Sequence, residues 1–204
     1  MIDELPMMQV EPVTLEGRYV RLEPLAPSHA ADLAAASGDA EIWRYMPVEL
    51  LTTAQLDAWI ADALAQQAAG AVLPFAIVER ATGQAIGGTR YLTIMRKDRG
   101  IEIGWTWLAR PAWRTAINSE CKYLLLCHAF ETLGCIRVQL KTDRRNERSR
   151  RAIERIGGQF EGILRQQFVL RDGTYRDSAY YSIIDSEWPG VKARLEAGLY
   201  GETR

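Results

Sequence analysis

The chain has 204 residues, 48% apolar and 25% charged, with a formal net charge of −1 at neutral pH. That length suits one folded domain with a real core, and the balanced charge excludes a general polyanion binder. No basic segment leads into an apolar run and nowhere do about 18 apolar residues follow one another, so no secretion signal or membrane span is expected.

Residues 1–12 form an acidic lead-in with Met and Pro, expected to be loose, before a single domain over 13–204. Val13 to Leu15, a turn at Glu16-Gly17 and Tyr19 to Leu25 predict a first strand with a bend. Pro27 to Ala36 predicts a short Ala-rich helix ending near Gly38, with a further turn in Ala40 to Tyr45. A firmer helix begins at Thr52, because Thr52-x-x-Gln55 fits a capping box and Leu56, Trp59, Ile60, Ala63 and Leu64 form one apolar stripe closed by Gly70. Phe75 to Glu79 and Ala85 to Met95 predict two strands joined across Ala81-Thr82-Gly83.

Ile101 to Leu108, rich in β-branched and aromatic residues, predicts a buried strand. Arg110 to Ser119 is too polar and Pro-broken to continue it. Ser119 to Leu133 predicts a helix carrying Leu124, Leu125 and His128, stopped by Gly134. Ile136, Val138 and Leu140 then alternate with Arg137, Gln139 and Lys141 as a second strand. Strand, helix and strand of these lengths make a right-handed crossover with parallel strands. The loop at the helix start offers unpaired N–H groups and the positive end of a dipole to phosphate. Phe160 to Leu170 and Tyr175 to Ile184 flank a hairpin turn at Arg171-Asp172-Gly173-Thr174, and a last helix runs from about Ser186-Glu187-Trp188-Pro189 to Ala197. The order is mixed α+β.

Positive charge concentrates between Lys141 and Arg155, which carry a net +4 and leave −5 on the rest of the chain. Three bland or sharp readings stay open: a solvated helix face with pairs such as Glu147–Arg151 and Glu154 with Arg150, a coenzyme phosphate site, or RNA. Without interleaved aromatics, nucleic-acid binding is not expected. Cys121, Cys127 and Cys135 lack metal-ligand spacing and leave one unpaired in any disulfide scheme, which predicts buried thiols in a reducing cytoplasm and no metal site.

The run Asn146-Glu147-Arg148-Ser149 followed by Ala152-Ile153-Glu154-Arg155-Ile156-Gly157, with the strand and loop before it, resembles the GNAT superfamily of acetyl-CoA-dependent N-acetyltransferases. Within it the likeness is to the Rim-type branch, over roughly Val13 to Leu195. The resemblance implies a mixed, mostly antiparallel sheet with a central splayed parallel pair, flanked by helices. The family's pyrophosphate loop, Gln/Arg-x-x-Gly-x-Gly/Ala, falls on Trp113-Arg114-Thr115-Ala116-Ile117-Asn118, so Ala116 and Asn118 depart from it. Glycine serves where a backbone takes φ > 0 or meets a ligand closely, and these two substitutions put cofactor affinity in question.

By the resemblance, the amides from Arg114 to Ser119, the Thr115 and Ser119 hydroxyls and Arg114 hold the pyrophosphate. Asn118 or Ser119 simply capping the helix is the competing reading. Arg151 of the basic turn is a further coenzyme ligand, and the backbone of Trp107 and Leu108 pairs with the pantetheine arm. Asn146 is a ligand contact, with capping as its alternative, and Ser149 donates a proton to the leaving thiolate. Glu102 binds the amine or removes its proton, directly or through water, its pKa raised beside Trp105 and Trp107; strand alternation leaves open a solvent-facing carboxylate without a role. His29 and His128 have no triad partner. Trp43, Tyr45 and Trp59 line an acceptor pocket or pack in the core. The expected activity is acetyl transfer from acetyl-CoA to a primary amine, on a protein N-terminus or a small molecule, in a ternary complex; a homodimer is compatible. A non-catalytic acyl-CoA sensing module and a ribosome-associated protein are the alternatives.

Overall fold

A computed structural model describes residues 7–201. The rest of the lead-in, residues 1–6, lies outside the described residues. Of the part that is described, Met8 is not loose: its side chain is buried in the core against the Cys135 thiol.

The elements follow in order. Strands β1 (Leu15–Glu16) and β2 (Val20–Pro24) lead to helices α1 (Ala30–Ala36) and α2 (Thr53–Ala68). Then come β3 (Leu73–Glu79), β4 (Ala85–Met95), β5 (Gly100–Leu108), α3 (Ile117–Cys127), β6 (Arg137–Asp143) and α4 (Glu147–Arg155). The hairpin β7 (Gln159–Val169) and β8 (Tyr175–Ile184) and helix α5 (Trp188–Tyr200) complete the chain. The expected capping box forms at α2: Thr52 Oγ1 accepts from the Gln55 amide at 3.3 Å, and Gln55 Oε1 accepts from the Thr52 amide at 3.1 Å. Behind it Leu56, Trp59, Ile60 and Ala63 are buried.

The eight strands form one sheet in the order β1-β2-β3-β4-β5-β6-β8-β7. Every neighbouring pair is antiparallel except β5 and β6, as the crossover through α3 requires. Strand alternation sends Val20, Leu22, Phe75, Ile77, Ile101, Ile103, Val138 and Leu140 into a core under α3 and α5. On the other face α1 and α2 pack over Ala76, Val78, Trp107 and the fully buried Trp43.

Ile103 and Trp107 have the same parity yet face opposite sides, which demands one extra residue between them. Trp105 supplies it, at φ +53°. The step from Gly88 to Arg90 on β4 is answered by the longer step from Gly104 to Trp107 on β5. That is a β-bulge, and it re-aims the end of β5.

Candidate active site

Strands β5 and β6 are paired only over Gly100–Arg137, Ile101–Val138 and Glu102–Gln139. Beyond Glu102, β5 stays with β4 as far as Leu108, and β6 stays with β8 as far as Asp143. A sheet therefore opens between two parallel neighbours at their C-terminal ends, where helices α3 and α4 begin. Such an opening is where an α/β sheet takes up anionic ligands.

The first of those helix starts has no capping side chain on its N-cap residue. α3 begins two residues earlier than the sequence predicts, so Asn118 and Ser119 lie in its first turn and neither is the cap. The N-cap is Ala116, which makes no side-chain capping bond. Thr115 makes a local turn instead: its hydroxyl donates to the Ala112 carbonyl at 2.8 Å and accepts from the Ile117 amide at 3.3 Å. The capping reading of Asn118 and Ser119 is therefore overturned. The positive φ of this loop falls on Arg114, at +63°, while Ala116 is right-handed at −67°. Neither Ala116 nor the helical Asn118 occupies a conformation that calls for glycine.

The second start is capped by Asn146, whose Oδ1 accepts from the Ser149 amide at 3.1 Å. Its capping role thus coexists with a place in the cleft wall. Between the two starts lies a cleft of about 610 Å³, lined by Trp113, Arg114, Asn146, Arg148, Arg110 and Arg145, with Glu41, Tyr45 and Glu147 at its edge. Trp113 organises it. Its indole Nε1 donates to the Leu108 carbonyl at 2.8 Å, tying the loop to the end of β5. Its ring lies between two guanidinium groups, Arg148 at 3.4 Å and Arg110 at 4.3 Å from the ring centroid. Arg110 is paired with Asp39 and Arg145 with Asp143, but Arg114 and Arg148 make no ion pair among the described residues. Burial pushes the Arg148 pKa down, and the cationic Arg110 and Arg114 push it the same way against Glu41 and Tyr45. A cluster of like charges beside free amide groups is stabilised by an anion.

Glu102 stands at the point where the strands part. It is buried, on the face of the sheet away from α3, beside the half-buried Gln139 and Lys141 of β6. Its Oε2 accepts from Gln139 Nε2 at 2.9 Å and Thr93 Oγ1 at 3.3 Å, and faces Lys141 Nζ at 3.1 Å. The expected apolar setting beside Trp105 and Trp107 is not what surrounds it. Trp107 turns instead into the α1–α2 core, against Trp43 at 5.1 Å and Trp59 at 6.3 Å. Trp105 lies under Arg90.

The other expected residues divide plainly. Trp113, Arg114 and Asn146 meet in the cleft. Ser149 is on the first turn of α4 but not in the cleft lining. Arg151 is exposed and paired with Glu147 at 2.9 Å, so the helix-face reading holds for it. Arg150 and Glu154 meet only through the Tyr181 hydroxyl. Trp43 is a core residue, Tyr45 lines this cleft, and the mostly buried Trp59 lines a second one. His29 caps its own turn, with Nδ1 accepting from the Ala26 amide. Sequence reasoning missed Arg148 and Arg110 as partners of Trp113. Only Arg148, one residue from the Asn146-Glu147 pair, was within reach of the motif.

A splayed parallel pair, an arginine-lined cleft across two helix starts and a carboxylate at the fork suit an acetyltransferase. The family model for the acetyltransferase (GNAT) domain matches residues 20–159, and the chain belongs to that family. The chain is 28% identical over 173 residues to an uncharacterized N-acetyltransferase of Bacillus subtilis, YoaA, covering 83% of this chain and 96% of that one. A solved GCN5-related N-acetyltransferase from Brucella melitensis superposes with a TM-score of 0.90 at 33% identity, over 98% of this chain and 90% of the other. The fold is also that of the ribosomal-protein-S5-alanine acetyltransferase from Vibrio fischeri (TM-score 0.72, 17% identity, 86% and 98% coverage).

Proposed function

We propose that the protein transfers an acetyl group from acetyl-CoA to a primary amine by direct attack within a ternary complex. The observation that carries this reading is the cleft beyond the fork of β5 and β6, where Arg114 and Arg148, without an ion pair among the described residues, meet beside the start of α3. Those groups suit a diphosphate: Arg114 and Arg148 supply charge, and the amides between Arg114 and Ser119 other than that of Ile117, which Thr115 already holds, supply directed donors. The pantetheine arm would then run down the opening toward Glu102, beside the backbone of Trp107 and Leu108. The Leu108 carbonyl already accepts from Trp113, so that part of the wall is held rigid before any ligand arrives.

At the fork, the neutral amine attacks the thioester carbonyl, the C–N bond forms, and the C–S bond breaks from the tetrahedral intermediate. A backbone N–H near Trp107–Leu108 faces the oxyanion, and the amine proton leaves to Glu102, directly or through water. The departing thiolate is protonated by Ser149 or water. A thioester is already activated, so alignment supplies most of the acceleration. Lys141, Gln139 and Thr93 fix Glu102 in place, which suits a group that orients an amine as well as one that accepts its proton.

The test is a thermal-shift titration with acetyl-CoA followed by an amine screen read by free thiol release. Stabilisation with turnover supports transfer. Stabilisation without turnover on any amine would favour a sensing module instead.

A further inference from the structure

A second cleft, of about 380 Å³, lies on the Glu102 side of the sheet, between α2 and the β5 bulge. Arg90, Trp59 and Trp105 line it, with Asp62 and Glu49 at its edge. Arg90 is only 3% exposed, and its guanidinium lies over both the Trp59 ring at 5.2 Å and the Trp105 ring at 4.7 Å. No carboxylate meets it among the described residues, and its Nε and Nη2 have no hydrogen-bond partner. Trp59 Nε1 is likewise buried without an acceptor. The edge acids are already engaged, Asp62 with Gln66 Nε2 at 2.6 Å and Glu49 with Arg171 of the hairpin tip. Burial drives the Arg90 pKa down to about 10, only partly offset by Asp62.

A buried arginine without a partner is costly, and the orphaned groups lining this cleft are all donors. What is missing is an acceptor of negative charge. Strand register says where its other end would lie. Arg90 pairs with Gly104 and Leu92 with Glu102, without a shift between them, so Arg90 and Glu102 are diagonal neighbours on one face. The floor between them is Gly104. A Cβ there would come within 3.1 Å of Glu102 Oε1 and 2.9 Å of Leu92 Cδ2, so the Glu102 carboxylate and the Leu92 side chain both lean over this glycine.

From this placement we infer that the acceptor is a small amine bearing its own carboxylate, an amino acid or amino-acid derivative. Its carboxylate is bound by Arg90 and its amine is presented to Glu102. The inference rests on the acetyl-transfer reading and names the acceptor of that site. A phosphate fits less well, because Asp62 and Glu49 at the cleft edge repel a dianion more than a monoanion.

The experiment is an acceptor screen on the full chain with acetyl-CoA, each L-amino acid paired with its carboxamide and phosphoethanolamine included. Calorimetric binding of the same pairs is measured in the presence of coenzyme A. At least one amino acid is expected to exceed its amide about tenfold in kcat/KM, mostly through KM. Arg90→Met should bring that ratio close to one while the thermal shift with coenzyme A is kept. Should Arg90→Met fail to fold, Arg90→Lys carries the comparison, because a point charge lacks the planar fork and the ratio should fall several-fold. Equal use of acids and amides, preference for phosphoethanolamine, or a ratio unchanged in the variant would overturn this inference and leave acetyl transfer standing. Carboxylate-selective binding without transfer to any amine would keep this inference's binding site and overturn the transfer reading. Neither selective binding nor transfer would overturn both.

Discussion

Lys141 Nζ lies 3.1 Å from Glu102 Oε2, a pair joining β6 to β5 across the last point at which those strands touch. The carboxylate is buried and its three protein partners all come from neighbouring strands, so its position is set by the sheet. Replacing Glu102 by Gln keeps the shape and removes the charge. Turnover should fall and its pH profile shift, with acetyl-CoA affinity unchanged by calorimetry. Turnover unchanged across pH would remove Glu102 from the chemistry. Lys141→Met leaves the carboxylate with Gln139 and Thr93 only and should cost about 1–3 kcal/mol of stability in urea unfolding.

Arg148 and Trp113 support each other in the diphosphate cleft. Arg148→Ala removes a charged donor and the stack on Trp113, and should weaken acetyl-CoA binding about tenfold or more, since charge-assisted bonds contribute roughly 1.5–3 kcal/mol. The loss should shrink as salt is raised, because screening weakens the same attraction in the parent protein. Arg151→Ala, on the exposed face of α4, should change affinity by less than about twofold.

The loop at 113–118 separates what was legible in the sequence from what was not. Its place, between a buried strand and a helix, followed from hydrophobic pattern and from Pro111. The parallel pair and both hairpins followed the same way. Which residues take unusual backbone angles did not follow, because tertiary contact decided it: Trp113 binds the Leu108 carbonyl, and the chain then turns through Arg114. Ala116 is left in an ordinary helical conformation. Ala116→Gly should accordingly leave acetyl-CoA affinity within about threefold of the parent, measured by the same titration. A gain well beyond that would mean that the methyl group, not the backbone angle, limits binding.

Alternation also could not place Trp105 and Trp107 relative to Glu102. A bulge shifts the parity of everything beyond it, and a bulge at a tryptophan leaves no glycine signal. Nor did composition reveal Glu120. This fully buried carboxylate of α3 accepts from the amides of Arg18, Tyr19 and Val20 at 2.8, 2.6 and 2.8 Å and from the Tyr200 hydroxyl at 2.7 Å. It staples the first strand bend and the last helix to α3. Glu120→Ala strands those donors and should destabilise by about 3 kcal/mol or more in equilibrium unfolding. Gly17→Ala should be harmful too, since a Cβ at residue 17 would come within 2.6 Å of the same carboxylate.

His128 gives stability a predictable pH dependence. Its ring is buried in the turn that extends α3, stacked on Tyr91 at 6.2 Å, and burial lowers its pKa from 6.5. Below pH 6.5 the unfolded chain takes up a proton that the folded chain refuses, so the unfolded state binds more protons and stability falls as pH falls. The loss continues until pH drops below the lowered folded value, where both states are protonated. His128→Gln removes the titration and should flatten this part of the stability curve, measured as urea midpoints at successive pH values between the two pKa values. The acid-side decline that remains in the variant belongs to paired carboxylates such as Glu161 and Glu131, whose pKa values are lowered chiefly by Arg137 and Lys192 and whose contribution is lost at lower pH. An unchanged slope just below pH 6.5 in His128→Gln would show that the ring is protonated in the folded protein despite its burial.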